Sequence, residues 1–221
     1  LCLDVTEAII DEAEREGCDI IITHHPIIFH PLKRFNSSNY VERCVERAIR
    51  RGIALYACHT NLDSAVGGMS WQVGSMIGLN DMSVLQPSAL GAETGFGVVG
   101  TLPRSESAMA LMSRIKSIFD VGAIRYSDIP SEEFMVQRVA ICTGAGGSLI
   151  DDALRANAQL YVTADLRYND FMRGDNRMIL ADIGHFESEF CAIRILFDIL
   201  SKKISTFAVR KSVNSRNPIH Y

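Results

Sequence analysis

The sequence has no run of apolar residues approaching the ~20 that a membrane-spanning helix needs. It has no basic excess either: 22 Lys and Arg stand against 26 Asp and Glu, a formal net charge of −4. Such a balance offers no general attraction to nucleic acid or to anionic lipid, so any phosphate contact has to be local. The six cysteines (Cys2, Cys18, Cys44, Cys58, Cys142 and Cys191) are scattered, with no CxxC and no close pairing. Secreted disulfide scaffolds are shorter and richer in cysteine, so these read as reduced core thiols. Cys58, beside His59, reads as a small strand-end hydrophobe. No signal-peptide pattern opens the chain, and the expected location is the cytoplasm. Repeats, low-complexity tracts and true linkers are missing as well.

What is present is an ordinary globular composition, 48% hydrophobic and 22% charged. The 221 residues suffice for one domain or two small ones with a sizeable core. Strand and helix patterns alternate almost throughout, which predicts an α/β fold with mixed, largely parallel sheets flanked by helices. Helices are expected over residues 5–17, 39–51, 68–78, 105–118, 148–156 and 186–201, with Thr6 as a cap for the first. Strands are expected at 19–23, 53–57, 95–102, 122–126, 136–142, 159–163, 177–182 and 205–209. The polar connection at 79–95 is the best boundary between approximate halves, 1–90 and 91–221.

Three of the expected strands end in unusual residues. The first gives "DIIITHHPIIFHPL", residues 19–32, where a β-branched run leads into His24, His25 and Pro26. Proline has no amide hydrogen for a ladder, so the strand stops near Thr23 and the histidines fall at its mouth. The second gives "ACHTNLDSAVGGM", with His59 and Asp63. The third gives "ADIGHFESEF", with His185 and Glu189 four apart, on one face of a helix that starts at Gly184. In a mostly parallel sheet the three segments reach one edge, where open α/β sheets carry their ligands.

Imidazoles with carboxylates suit zinc, iron or manganese, whereas calcium and magnesium prefer oxygen alone. His24, His25, Asp63, His185 and Glu189 are too many for one catalytic zinc with an open position, and they fit a pair of cations completed by water. Each piece by itself has an ordinary reading: His25 as a strand-end histidine, Asp63 as a helix cap, His185 with Glu189 as an exposed pair. The combination is what stands out, because four of six histidines fall at three strand ends beside carboxylates. His30 and His220 lack such company and read as surface residues.

"LDVTEAIIDEAEREGCDIIITHHPIIFHPLKR", "HTNLDSAVGG", "CTGAGGS", "GHFESE" and the closing "NPIHY" resemble, in order, the GTP cyclohydrolase I type 2 homologue family, also called NGG-interacting-factor-three-like. The resemblance implies two interwoven α/β halves, a toroidal homohexamer and a dinuclear metal site. It further implies that His25 and Asp63 bind one ion, His24 and His185 the other, and that Glu189 bridges them. His59 matches a family histidine beside the site, with a role in proton transfer or in support of the ligands. Family members usually begin with a helix and a strand ahead of the "LDVT" element, which are absent here. Some carry a histidine in the segment matching "TADLRYND", where this chain has Tyr168 and Asn169. Longer relatives insert a middle domain, for which no room remains between "GFGVVGTL" and "CTGAGGS".

"TGAGGSLI" places glycines between a strand and a helix, an arrangement able to cradle an anion, yet no lysine follows as in a Walker motif. The plainer reading is a tight turn with close packing, and Arg125 and Arg167 read as surface residues rather than phosphate ligands. Two functions are carried forward. One is a metal-dependent hydrolase with activated water as nucleophile, acting on a small nucleotide by the cyclohydrolase resemblance. The other is a non-catalytic oligomeric scaffold that stores, delivers or senses metal or docks protein partners.

Overall fold

The computed structural model describes residues 1–220; Tyr221, the end of the "NPIHY" element, lies outside the described residues. In chain order the elements are α1 (Glu7–Arg15), β1 (Ile20–Thr23), α2 (Tyr40–Arg51), β2 (Ala54–Ala57), α3 (Thr60–Asp63), α4 (Met69–Ile77), β3 (Asn80–Ser88) and β4 (Gly91–Ser107). They continue with α5 (Ala108–Ile118), β5 (Arg125–Tyr126), β6 (Met135–Ala145), α6 (Ile150–Arg155), β7 (Leu160–Ala164), β8 (Ile179–Asp182), α7 (His185–Glu189) and α8 (Cys191–Lys203). Short 3₁₀ turns occupy Gly147–Leu149 and Tyr168–Gly174. No helix among the described residues is long and apolar enough to cross a membrane.

The described residues divide into two compact units, residues 1–62 with 192–218 and residues 63–191 with 219–220. In the first, β1 and β2 pair in parallel, Ile20 opposite Ala54 and Thr23 opposite Ala57. Thr6 caps α1 by accepting from the Ile9 amide, as its position before the helix requires, and Asn39 caps α2 in the same way. Ile9, Ile10 and Ala13 of α1 and Cys44 and Ala48 of α2 bury one apolar stripe each against Cys2, Val5, Ile21 and Ile53.

The second unit is built on a six-stranded sheet in the order β3-β4-β6-β7-β8-β5. Its three middle strands, β6, β7 and β8, are parallel, while β3–β4, β4–β6 and β5–β8 are antiparallel. β7 and β8 are buried at every position, as expected of strands covered on both faces. Alternation then sends Val139, Ile141, Leu160, Val162, Ile179 and Ala181 into one cluster and Ala140, Cys142, Tyr161 and Leu180 into another.

Several expectations are corrected. Residues 79–95 are not a connection between halves: β3 and β4 form an antiparallel ladder there, inside the second unit. Polar side chains on that ladder are tolerated because its residues Asn80, Asp81, Gln86 and Glu93 remain exposed. The sheets are mixed, with three parallel and three antiparallel pairings, rather than largely parallel. Residues 205–209 form no strand; they have no ladder partner among the described residues, and Phe207 lies exposed. The strand expected at 122–126 shrinks to Arg125–Tyr126, and the helix expected at 186–201 is two helices, α7 and α8, separated at Phe190. Finally, the three unusual strand ends do not share one sheet edge, because β1 and β2 form a sheet of their own and β8 belongs to the other.

Candidate metal centre

β1 and β2 run parallel, so their C-terminal ends lie at one edge, and the chain continues from them into His24, His25 and His59. The nitrogen ligand atoms of these three side chains lie within 4.8 Å of one another. Their ring centroids are 4.9 Å (His24–His25), 5.3 Å (His24–His59) and 5.6 Å (His25–His59) apart. His24 is fully buried, and His25 and His59 are half-buried. The adjacent histidines escape the alternation of a strand because the ladder has ended: Thr23 Oγ1 donates to the His25 carbonyl at 2.7 Å, bending the chain ahead of Pro26.

The tautomers follow from the partners. His24 Nδ1 lies 2.8 Å from the Cys58 carbonyl oxygen, which can only accept, so Nδ1 carries the hydrogen and Nε2 the lone pair. His25 Nδ1 donates to Asp4 Oδ1, also at 2.8 Å. Both rings therefore turn Nε2, the common metal-binding edge, away from the atoms that hold them.

The second unit gathers Asp63, His185 and Glu189. Glu189 Oε2 is 3.0 Å from His185 Nε2, one helical turn away on α7. Carboxylate oxygens of Asp63 and Glu189 lie within 4.8 Å of one another. His185 Nδ1 donates to Asp165 Oδ2 at 2.8 Å, repeating the arrangement at His25. The hydrogen bond to Glu189 pushes His185 up to about 9; burial opposes this, and the charges of Glu189 and Asp165 add to it. Two carboxylates on one imidazole make this a place that favours positive charge, and a divalent cation supplies it as well as a proton does.

Local packing fixes Glu189. Gly144, at the end of β6, has φ +65, and a Cβ there would overlap Glu189 Oε1. The Gly144 amide donates to Ser188 Oγ at 3.0 Å, and Ser188 Oγ donates to the His185 carbonyl at 2.9 Å, which ties α7 to the strand. Glu189 is 4% exposed, so its carboxylate has been withdrawn from water and needs a cationic partner. Cys142 and Cys191 are pushed up to about 12, chiefly by burial, with Glu189 and Asp63 adding to it. Burial and the neighbouring carboxylates thus favour the thiol form of both in the metal-free chain.

The donor set fits a divalent cation of the zinc, iron or manganese kind: imidazole nitrogens and carboxylates, the imidazoles oriented from behind by acceptors. The Gly146 carbonyl accepts from Tyr161 at 2.7 Å, and the Gly147 carbonyl accepts from Arg173 at 2.9 Å. Arg125 is paired with Asp182 and the Leu166 carbonyl. Arg167, His30 and His220 are exposed.

Asp4, Asp165 and the Cys58 carbonyl were not among the residues the sequence singled out. Asp4 and Asp165 lie 21 and 20 residues from the histidines they hold. The one available signal was position: each acid directly follows an apolar run that heads toward a strand end.

Comparison with known proteins adds four findings. The sequence profile of the Duf34/NIF3 (NGG1p interacting factor 3) family matches residues 1–218. A protein of Clostridium perfringens named GTP cyclohydrolase 1 type 2 homolog is 33% identical over 192 residues, 86% of this chain and 72% of that protein. A protein of the same name from Lactococcus lactis is 32% identical over 224 residues, 99% of this chain and 83% of that one. Among solved structures, a Staphylococcus aureus hypothetical protein superposes with a TM-score of 0.89 at 22% identity, covering 99% of this chain and 85% of that chain. The last likeness concerns the fold alone.

Proposed function

From the premise that this chain belongs to the DUF34/NIF3 family, we propose that it is a dinuclear divalent-metal hydrolase. His24, His25, Asp63, His185 and Glu189 would hold two cations of zinc, iron or manganese between them, with Glu189 as the shared carboxylate. When bound, such a pair supplies the Lewis acidity that makes water nucleophilic near neutral pH. Asp4, Asp165 and the Cys58 carbonyl hold the three ligand imidazoles by Nδ1, which fixes the orientation of their Nε2 edges; at His185 a cation would take the place of the proton shared with Glu189. His59, grouped with His24 and His25 but not itself required as a ligand, is the base that would move protons to and from the reacting group.

The observation that carries this reading is the common orientation of three imidazoles, each held at Nδ1 by an oxygen 2.8 Å away. An acceptor behind Nδ1 with Nε2 left to face other ligand atoms is the arrangement that metal-binding histidines use, and it supports the reading for these three. The relatives' name supports a nucleotide as substrate, attacked at an electrophilic carbon. The reading also takes in self-association into a ring of six and a reducing, cytoplasmic setting; six free thiols agree with the latter.

The test is turnover with a matched variant. Metal-loaded protein incubated with GTP and with general phosphoester and amide substrates is expected to turn one of them over, and Glu189→Gln to lose that turnover by a factor of ~10² or more. Two bound metals without turnover of any substrate would leave the protein a non-catalytic metal scaffold. Equal turnover by Glu189→Gln would assign the activity to a contaminant.

A further inference from the structure

The segment that follows the double histidine, Ile28–Phe35, plays no part in the metal centre described above, and its composition is odd for an exposed loop. Ile28, Phe29, Leu32 and Phe35 are all exposed large apolar side chains, Phe29 to 64%. His30, Lys33 and Arg34 lie among them, while residues 20–41 contain no Asp or Glu in a chain whose net charge is −4. Three arginines of α2 are spent in ion pairs with α1: Arg43, Arg47 and Arg51 with Glu7, Asp11 and Glu14. Among the described residues Lys33 and Arg34 enter none.

The nearest acids along the chain are already engaged. Glu42 accepts from the Asn36 and Ser38 amides at 2.9 and 3.0 Å, and Glu46 from Ser37 and from Arg50 at 2.7 Å. These bonds pin the far end of the loop and leave its positive charge uncompensated. At the near end, Phe29 packs edge-on against His59, ring centroids 5.8 Å apart, and against His30 at 5.1 Å. The loop thus starts in contact with the proposed proton-transfer residue. Four and five residues separate Phe29 from Lys33 and Arg34, so their Cα atoms stay within about 14–18 Å of it.

Taken together with the centre proposed above, on which this rests, these placements lead us to propose that Ile28–Phe35 is the substrate-recognition lip of the site. It selects molecules that join a flat ring to a phosphate. Phe29 offers the ring a stacking face beside His59, and Lys33 and Arg34, with His30, take the anionic group. A phosphate suits two unpaired cations on a short loop, and a planar ring suits an exposed aromatic that is otherwise costly to leave in water. Phe29, Lys33 and Arg34 are specificity residues in this scheme, and none of them is a metal ligand.

The test uses the metal-loaded full chain and calorimetric binding of purine and pyrimidine 5′-monophosphates, flavin mononucleotide and pyridoxal 5′-phosphate. The unphosphorylated counterpart of each, and inorganic phosphate, serve as partial probes. The phosphorylated form of at least one compound is expected to bind more tightly than either of its parts. Phe29→Ala should weaken that compound and its unphosphorylated form about tenfold while leaving inorganic phosphate unchanged. Lys33→Ala with Arg34→Ala should weaken the phosphorylated form and inorganic phosphate at least tenfold, leave the unphosphorylated form alone and flatten the dependence on salt. Metal content should be the same in all variants.

Failure of every phosphorylated compound to bind, or variants that bind as the wild type does, would overturn the proposal. So would a change in oligomeric state with ligand affinity intact, which would assign the loop to subunit contact. The two readings fail separately: protein that holds metal and turns over substrate regardless of residues 29, 33 and 34 refutes the lip alone. Protein that holds no metal refutes the centre.

Discussion

Replacing Gly144 with alanine offers a direct reading of how tightly Glu189 is held. Two costs arise. The backbone at Gly144 has φ +65, where an L-residue pays about 1–2 kcal/mol. The added methyl would also overlap Glu189 Oε1, and forcing an extra carbon into a packed site costs a further ~1–3 kcal/mol. Gly52, which ends α2 in the left-handed conformation, has φ +67 and nothing within 4 Å of where a methyl would sit, so Gly52→Ala isolates the backbone cost. The expected losses are about 1–2 kcal/mol for Gly52→Ala and about 2–5 kcal/mol for Gly144→Ala, by urea denaturation of each. Relief of the clash would move the Glu189 carboxylate, so Gly144→Ala should also lose metal affinity, while Gly52→Ala keeps it. Equal losses in the two variants, with metal binding intact in both, would show that Glu189 does not lie against Gly144.

Asp4→Ala and Asp165→Ala should each lower metal affinity about 10–100-fold, measured by competition with a chromophoric chelator, because His25 and His185 lose the acceptor that fixes Nδ1. Asp165→Asn, which can still accept, should recover part of the loss, and affinity equal to wild type in all three would refute the role. Glu12 gives a pH-dependent prediction. Burial alone would raise its carboxyl, but the Ser212 hydroxyl, the Val213 amide and Asn214 donate to it, and its net shift is downward from 4.5. The unfolded chain then holds that proton more tightly than the folded one, so the stabilisation is complete above about pH 4.5 and lost as pH falls through the lower folded value. Melting scans from pH 7 to 3 should show an acid-side drop that is smaller in Glu12→Gln, and identical profiles would contradict it.

The local parts of this fold were legible in sequence because they are decided locally. The run Ile20–Ile22 followed by His24, His25 and Pro26 reads as a strand that stops, and Thr6 ahead of Ile9 and Ile10 as a cap; both are found. The GHFESE element gave His185 and Glu189 their shared helical face. What escaped depends on distant partners. The β3–β4 ladder looked like a polar connection because its exposed face carries the polar residues. The Ser205–Val209 stretch has strand composition, but a strand exists only where a neighbour completes its hydrogen bonds. Likewise Asp4 and Asp165 are plain surface acids until the fold brings an imidazole to 2.8 Å from each.

Whether the Nε2 edges of His24, His25 and His185, with Asp63 and Glu189, hold metal is best settled by anomalous diffraction at the metal edge from crystals grown with zinc or manganese. The account predicts two peaks per chain, each bonded to imidazole Nε2 atoms, with the Nδ1 atoms still on Asp4, Asp165 and the Cys58 carbonyl. Peaks bonded through Nδ1, or none within coordinating distance of Glu189, would contradict it.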